Sequence, residues 1–405
     1  MAHSHGSAPS SSADALRLPR PLRRALFGAV GLFILVTVVG LVALWPPPTP
    51  KDRSGGLGTP VDLVRATVTA APVVPCRSAL PGVALVCRDV TARLDSGPEK
   101  GQTTTLDITE SPDQPTLSVG NRVILGRAAD PGVPAAYYFA DFQRRAPLLA
   151  LGALFALAVV GLARWRGAAA LLGLGVSLLV LVRFVLPAIL AGESALAAAI
   201  VGAAVIALVI IYLAHGVSAR TTTAVLGTLV ALGLTALLAV VFVQATRLTG
   251  LSSEEGTYLR GVLGSSVNLR GMLLAGIIIG GLGVLNDVTV TQSSAVWEIY
   301  LANPAVGSRD LYASAMRIGR DHIASTVDTL VLAYAGAALP LFVIFTVADR
   351  RLSDVLTGEI VAQEIVQTLV GSLGLIAAVP ITTWLACLVV TRSRPAPGAQ
   401  TAEAT

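Results

Sequence analysis

Two aspartates stand inside apolar stretches long enough to cross a membrane, and they are the residues best suited to carry chemistry. Asp287 follows Asn286 in the apolar run 272–290, and Asp328 lies in the run 323–347. An ionisable side chain in a bilayer is costly unless it faces protein or water. Since two neighbouring carboxylates do not both ionise easily, we expect one to hold a proton, as a proton relay or cation site requires.

Helical spacing gives each aspartate a polar face. The spacing i, i+4, i+7 is shared by Asp287, Thr291 and Ser294 and, on the next run, by Asp321, Ser325 and Asp328. The short connection predicts antiparallel neighbours, and counting about 1.5 Å per residue from the ends of the runs places both aspartates at one depth. We therefore predict a polar transport site made of Asn286, Asp287, Thr291, Ser325 and Asp328. The alternative is that the carboxylates cap helix ends or join helices through hydrogen bonds, with nothing transported.

Two further groups of residues could have a role. Arg317 and Arg320 lie one turn apart in a connector predicted at 291–321 and could bind an anion or a lipid headgroup, although membrane topology alone also favours arginine there. Cys76 and Cys87 share the one long polar stretch, so they could form a disulfide if that stretch is exported, or remain free thiols.

The sequence lacks the signatures of common enzymes and of nucleic-acid binding. It has no phosphate-binding glycine loop with lysine, no paired metal histidines on a helix and no nucleophile elbow. An intramembrane aspartyl protease needs two aspartates, but Gly283-Val284-Leu285-Asn286 before Asp287 differs from the Gly-x-Gly-Asp pattern of such enzymes. The arginines are scattered, with no basic block to follow a phosphate backbone. We therefore predict neither an enzyme nor a cofactor, a metal or a nucleic-acid partner.

The elements that position the aspartates are predicted to be membrane helices. Of the 405 residues, 54% are hydrophobic and 13% charged, whereas ordinary soluble chains have about 25% charged residues. The predicted spans are 25–45, 148–163, 168–186, 195–214, 222–243, 272–290, 323–347 and 365–390. This makes an α-helical polytopic membrane protein with about eight spans and the lipid bilayer as its solvent.

One segment differs in pattern from the rest. Between residues 57 and 145 apolar and polar side chains alternate, as in Val64, Ala66 and Val68, and turn residues such as Gly97-Pro98 separate the runs. Roughly five strands predict a small all-β, barrel-like domain of the oligonucleotide/oligosaccharide-binding (OB) type, inserted after the first span. The predicted domains are a disordered tail 1–24, an anchor 25–45, the β domain 57–145, a seven-span bundle 147–391 and a tail 392–405.

The distribution of arginine predicts the orientation. Arginines precede the first span and recur in alternate connections; of the opposite connections, 187–194 has none, and the others hold Arg247, Arg260, Arg270, Arg350 and Arg351. Because positive residues favour the cytoplasmic side, both termini are predicted to be cytoplasmic and the β domain extracytoplasmic. We expect the protein to be a multi-pass component of a bacterial cell membrane.

These residues together resemble the YibE/F family of bacterial membrane proteins. The resemblance covers about 57–390, and its most specific stretch is Gly319-Arg320-Asp321-His322. It also includes Gly280-Gly281-Leu282-Gly283 before Asn286. The family implies a multi-span membrane protein often regarded as a transporter, and it usually has a non-acidic residue, often Asn, where this chain has Asp328.

Two functions remain open from the sequence. The first is a transporter or permease for a small solute or ion, with its polar site in the sixth and seventh spans and a continuous polar cavity. The second is a non-transporting scaffold, in which a sealed bundle anchors an exported β domain that binds envelope components or partner proteins. A homo-oligomer is a further possible assembly. An ion gradient, and not ATP bound to this chain, would drive any transport.

Overall fold

The chain divides into two compact units, each described by itself. In the computed structural model one unit is Pro50–Val159, and the other combines Met1–Thr49 with Val160–Thr405. The structure describes residues 16–47, 62–75, 86–109, 115–128, 136–252, 254–263, 268–347 and 351–395. Most of the two predicted tails lies outside these residues. The first described elements are strand β1 (Leu16–Arg17) and helix α1 (Arg20–Ala43), which confirms a helix at the predicted anchor.

An antiparallel sheet forms the unit Pro50–Val159. Its strands are β2 (Asp62–Ala70), β3 (Val73–Pro75), β4 (Val86–Leu94), β5 (Thr103–Thr109), β6 (Arg122–Ala128) and β7 (Ala136–Phe142). They pair in the order β3-β4-β2-β6-β7, with β5 also on β4. Among the described residues no hydrogen-bonded ladder joins β5 to β7, so the predicted OB-like barrel stays a prediction.

The alternating pattern of the strands sets the core of the sheet. Val64, Ala66 and Val68 in β2 are buried, and so are the alternate residues Val90 and Ala92 in β4. This period of two confirms the strand faces predicted from the sequence. Cys87 is disulfide-bonded. Cys76 lies outside the described residues, so its pairing with Cys87 stays a prediction.

A charged cluster attaches the turn after β4 to the last two strands. Glu99 accepts a hydrogen bond from Arg127 Nη2 at 3.0 Å and another from the Tyr137 hydroxyl. Arg127 Nη1 also lies 3.6 Å from Asp62 Oδ2. The hydrogen bonds from Arg127 and then Tyr137 hold the pKa of the Glu99 carboxyl below its ordinary value. The ionised form of Glu99 is therefore favoured by folding.

We expect this cluster to make the sheet acid-sensitive. Because the pKa of Glu99 is lower in the folded than in the unfolded chain, its stabilisation is fully present above the ordinary value of 4.5. It is lost as the pH falls through the lowered value. Hydrogen exchange of β6 and β7 peptides in the full-length protein, corrected for intrinsic rates, should show protection falling with acid. Glu99→Gln should show less protection at pH 7 and a weaker fall; equal pH dependence in both proteins would contradict this account.

The helices after α1 also belong to the unit that combines Met1–Thr49 with Val160–Thr405, except that α2 begins before Val160. They are α2 (Arg145–Val180), α3 (Leu186–Leu190), α4 (Ala195–His215), α5 (Ala219–Ala245), α6 (Glu254–Leu263), α7 (Leu269–Ala302), α8 (Ser308–Ala337), α9 (Leu339–Val347), α10 (Leu352–Thr357) and α11 (Glu359–Val390). A π-helical turn, Leu181–Val185, joins α2 to α3. Strand β8 (Arg394–Pro395) pairs with β1.

Six helical stretches in the described residues are long and apolar enough to cross a membrane, or up to seven if α8 and α9 form one bent span. The chain is thus a polytopic membrane protein, as predicted, but the number eight is not confirmed. The sequence counts 148–163 and 168–186 as two spans. In the structure both belong to one helical stretch, Arg145–Leu190, with a non-helical backbone at Arg164 (φ 52°, ψ −129°).

The region of the predicted site differs from the sequence prediction in two ways. The connector predicted at 291–321 is mostly helical, because α7 continues to Ala302 and α8 begins at Ser308. Polar residues in it are buried in the bundle, as Gln292 is, so they extend the helix instead of ending it. The span predicted at 323–347 is bent by 58° between α8 and α9. Pro340 lies at this bend and cannot donate a helical hydrogen bond.

Helices α5, α7 and α11 form the centre of the bundle, and glycines let them approach closely. A Cβ at Gly374 of α11 would overlap the Thr235 hydroxyl of α5, and one at Gly227 of α5 would overlap the Thr382 hydroxyl of α11. Lipid and side chains are equally apolar, so helices in a membrane associate through close van der Waals packing. Small residues of this kind allow the backbones to approach closely enough for it. The two contacts fix how α11 lies against α5.

Candidate functional site

The predicted site residues are divided between the inside and the outside of the bundle. Asn286 is 7% exposed and belongs to the buried surface of α7. Asp287 and Thr291 of α7 are exposed, and so are Ser325 and Asp328 of α8. Asn286 therefore faces the inside of the bundle, whereas the other four side chains are exposed in the described part of the chain.

One whole stripe of α7 is uncovered in this way. Its exposed members, spaced three or four residues apart, are Gly276, Gly280, Gly283, Asp287 and Thr291. A Cβ added at Gly276 or Gly283 would meet no atom within 4 Å in the described chain, whereas one at Gly280 would lie 3.5 Å from the Tyr334 hydroxyl. The close helix contacts use Gly227 and Gly374 instead.

The side chain that meets Asp287 is a histidine that sequence reasoning did not assign to the site. His322 Nε2 of α8 lies 3.7 Å from Asp287 Oδ2, with the histidine 33% and the aspartate 71% exposed. This Nε2 atom is itself buried and has no hydrogen-bond partner among the described residues. An imidazole can both accept and donate a proton, which suits histidine to proton relays. Asp287 and His322 thus form an acid and base pair.

The pairing of α7 with α8 separates Asp287 from Asp328. Gln292 Nε2 of α7 donates to the Ala315 carbonyl of α8 at 2.9 Å, which gives the same antiparallel register as the contact of Asp287 with His322. Asp328 is six residues beyond His322, about 9 Å farther along the axis and about 120° around the helix. The two aspartates are therefore not at one depth. The depth predicted from the sequence was wrong because it was counted from the ends of the apolar runs. Helix α7 continues beyond residue 290, and α8 begins before residue 323.

His322 has other polar neighbours on its own side of α8. Ser325 is one turn away, and Thr329, two turns away, donates its hydroxyl to the Ser325 carbonyl at 2.9 Å. We name the surface formed by Asp287, Thr291, His322 and Ser325 the Asp–His face. It is exposed or partly exposed throughout. The face carries one acid, one base and two hydroxyls, which suits the relay of a proton or the binding of a small cation.

The two predicted anion-binding arginines are also on α8. Arg317 and Arg320 are both exposed, and Arg317 Nη2 donates to Ser314 Oγ at 3.0 Å. Asp321 lies next to Arg320 and is exposed as well. Their guanidinium groups remain accessible to an anionic ligand or headgroup, and binding of either stays a prediction.

The polar side chains buried inside the bundle are uncharged. Thr228 of α5 and Thr289 of α7 share a hydrogen bond at 2.5 Å, and Gln292 Nε2 also donates to Thr383 Oγ1 of α11 at 2.7 Å. Ser293 donates to the Arg220 carbonyl at 2.9 Å. Among the described residues, the buried polar side chains are all Thr, Ser, Asn or Gln. These neutral groups join the helices, whereas Asp287 and His322 lie on the exposed or partly exposed Asp–His face.

Metal chemistry has no support from the arrangement of the side chains. In the part of the chain that the structure describes, no group of three or more His, Cys, Asp or Glu could hold a metal ion. Cys387 is buried and free.

Comparison with known proteins identifies the family of this chain. The model of the YibE/F-like proteins matches residues 151–392, which include α4, α5, α7, α8 and α11. No curated protein and no solved structure matches the chain. Since the family match covers more than half of the sequence, the chain belongs to the YibE/F family.

Proposed function

We propose that the protein is a membrane permease that moves a proton or small cation along the Asp–His face of α7 and α8. The contact of Asp287 with His322 is the observation that carries this proposal. Asp287 is the nineteenth residue of the 34 in α7, in a helix apolar enough to cross the bilayer. A charged side chain at the centre of a span costs about 2.5–3.5 kcal/mol on translocon scales. Lipid is therefore a poor neighbour for this face.

Two environments avoid that cost, and both suit a permease. Water in a vestibule would solvate Asp287 and connect it to one side of the membrane. A second copy of the chain could cover the glycine stripe of α7 and enclose the Asp–His face between subunits, since small residues favour helix association in membranes. The break between α8 and α9 adds support, because transporter sites commonly lie near discontinuous helices.

The finer topology also belongs to this proposal. We propose eight spans, with a turn at Arg164 dividing the 46-residue stretch Arg145–Leu190. As one helix this stretch would be about 69 Å long, more than twice a hydrocarbon core of about 30 Å. Arg164 and Arg166 would then lie in the cytoplasm, with both chain termini. The OB-like β domain would lie outside the cytoplasm of a bacterial cell.

The test is proton flux in reconstituted vesicles. The full-length protein is placed in liposomes that contain a pH-sensitive dye, and a potassium gradient with valinomycin sets the membrane potential. We expect acidification faster than in protein-free liposomes, and faster again at a larger potential. The same liposomes with a sodium-sensitive dye inside and sodium outside would reveal a cation other than the proton. Rates equal to those of protein-free liposomes for every cation would contradict the proposal.

A non-transporting scaffold is the second candidate, and the uncharged interior of the bundle favours it. A bundle closed by neutral hydrogen bonds needs no route for ions, and the β domain would then bind envelope components. This function predicts no flux, together with copurification of a partner that requires the residues 57–145. Flux that depends on Asp287 would exclude it as the sole function.

A further inference from the structure

A second ionisable group lies in an apolar cavity remote in sequence from Asp287. The cavity is about 220 Å³ in volume and lies between α8, α9 and α11, beside the 58° bend. Its lining includes Tyr334, Ala335, Phe342, Glu364 and Thr368. Glu364 is the one carboxylic acid among the lining residues. The bend opens this space, because α9 leaves the direction of α8 just where α11 begins to run alongside.

The other polar groups of the cavity already have partners. The Thr368 hydroxyl donates to the Glu364 carbonyl at 2.8 Å, and the Tyr334 hydroxyl accepts from Gln367 Nε2 at 3.1 Å. Among the described residues no hydrogen bond or ion pair reaches the carboxylate of Glu364. The carboxylate therefore has bonding capacity left, as has the O–H donor of Tyr334, and mostly apolar side chains line the cavity around them.

A carboxylate in an apolar cavity selects the chemical class of the ligand. An anion is repelled by the carboxylate, and a neutral apolar molecule leaves it without a partner, which is costly in such surroundings. A metal ion requires several ligands, and no metal-binding group is found among the described residues. An organic cation satisfies both features, because its charge pairs with Glu364 and its body fills the apolar space. Tyr334 and Phe342 supply the aromatic surface that cations of this kind favour.

We propose that this cavity binds a monovalent organic cation with an apolar body, whose charge pairs with Glu364. The site is separate from the Asp–His face and does not depend on ion movement there. The size of the cavity fits such a ligand as well, since this volume admits a molecule well above the size of water.

Binding is measured with a matched pair of probes on the full-length protein in detergent. Benzyltrimethylammonium carries the charge, and neopentylbenzene has the same shape without it. In equilibrium dialysis we expect saturable binding of the cation at least tenfold tighter than that of the hydrocarbon. Glu364→Gln should weaken cation binding at least tenfold and leave the hydrocarbon unchanged. Asp354→Asn, an exposed acid in α10 outside the cavity, should bind as the wild type does.

A second variant tests the cavity without removing the carboxylate. Ala335→Phe places a ring in the space and should weaken cation binding, with Glu364 intact. Unchanged cation affinity in Glu364→Gln or in Ala335→Phe would overturn the proposal. Equal binding of both probes would also overturn it and would indicate a crevice for acyl chains. Since no ion gradient is present, a failure here is distinguishable from absence of flux in vesicles.

Discussion

Proton flux through vesicles is expected to fall at least tenfold, to the level of protein-free liposomes, when Asp287 is replaced by asparagine. Asparagine keeps the size and polarity of the side chain but cannot carry a negative charge or exchange a proton with His322. Because Asp287 is exposed and its contact with His322 is 3.7 Å long, the change should leave the fold intact. The measurement is dye acidification at matched protein density, with thermal unfolding in detergent to confirm folded protein.

Three other variants make this result specific. Asp310→Asn removes an acid from the first turn of α8, the helix of His322, outside the Asp–His face, and should retain flux. His322→Gln should reduce flux as strongly as the Asp287 variant. Asp328→Asn should have a smaller effect, because the helix register separates it from Asp287. Wild-type flux in folded Asp287→Asn would contradict the proposed route.

The largest effect on stability is expected from Gly374→Ala. The added methyl group would overlap the Thr235 hydroxyl where α11 lies against α5, in the centre of the bundle. Overpacking of this kind costs about 1–3 kcal/mol, so the unfolding temperature in detergent should fall by several degrees. Gly371→Ala, one turn earlier on α11, meets no atom within 4 Å. It should be neutral or stabilising, since alanine favours helix by about 1 kcal/mol over glycine.

A double substitution separates this overlap from general damage to α11. Thr235→Ala removes the hydroxyl that donates to the Ala231 carbonyl at 2.8 Å, so alone it should cost little. Combined with Gly374→Ala it should restore most of the lost stability, which gives a coupling between the two positions in a mutant cycle. Additive losses in the double variant would show that the overlap is not the cause.

The sequence predicts elements better than it predicts their contacts. Alternation in β2 and β4 and the apolar runs of α4, α5 and α11 identify those strands and helices, because burial against a sheet or lipid depends on simple periodicity. Pro340 in the sequence indicates the bend between α8 and α9, although the apolar run that continues across it conceals the break. The extension of α7 past Thr291 is harder to predict, because the polar residues there are buried by other helices.

The candidate site shows the same limit. Asp287 is found from its position in an apolar run, but its partner His322 depends on the register between α7 and α8. That register is set by contacts such as Gln292 with the Ala315 carbonyl, which hydropathy does not contain. The outward position of the α7 glycines has the same origin. Lipid and protein are equally apolar, so side-chain shape decides which face of a membrane helix packs.

The central claim is that water reaches the Asp–His face from at least one side of the membrane, and that lipid does not cover it. Ser325→Cys tests it in protein embedded in liposomes, with Leu237→Cys, a 60% exposed residue of α5, as the lipid-facing control. A small charged thiol reagent, supplied on both sides of the membrane, should label Cys at 325 and spare Cys at 237, and a lipid-soluble maleimide should label Cys at 237. Labelling of position 325 by the lipid-soluble reagent alone would contradict the account.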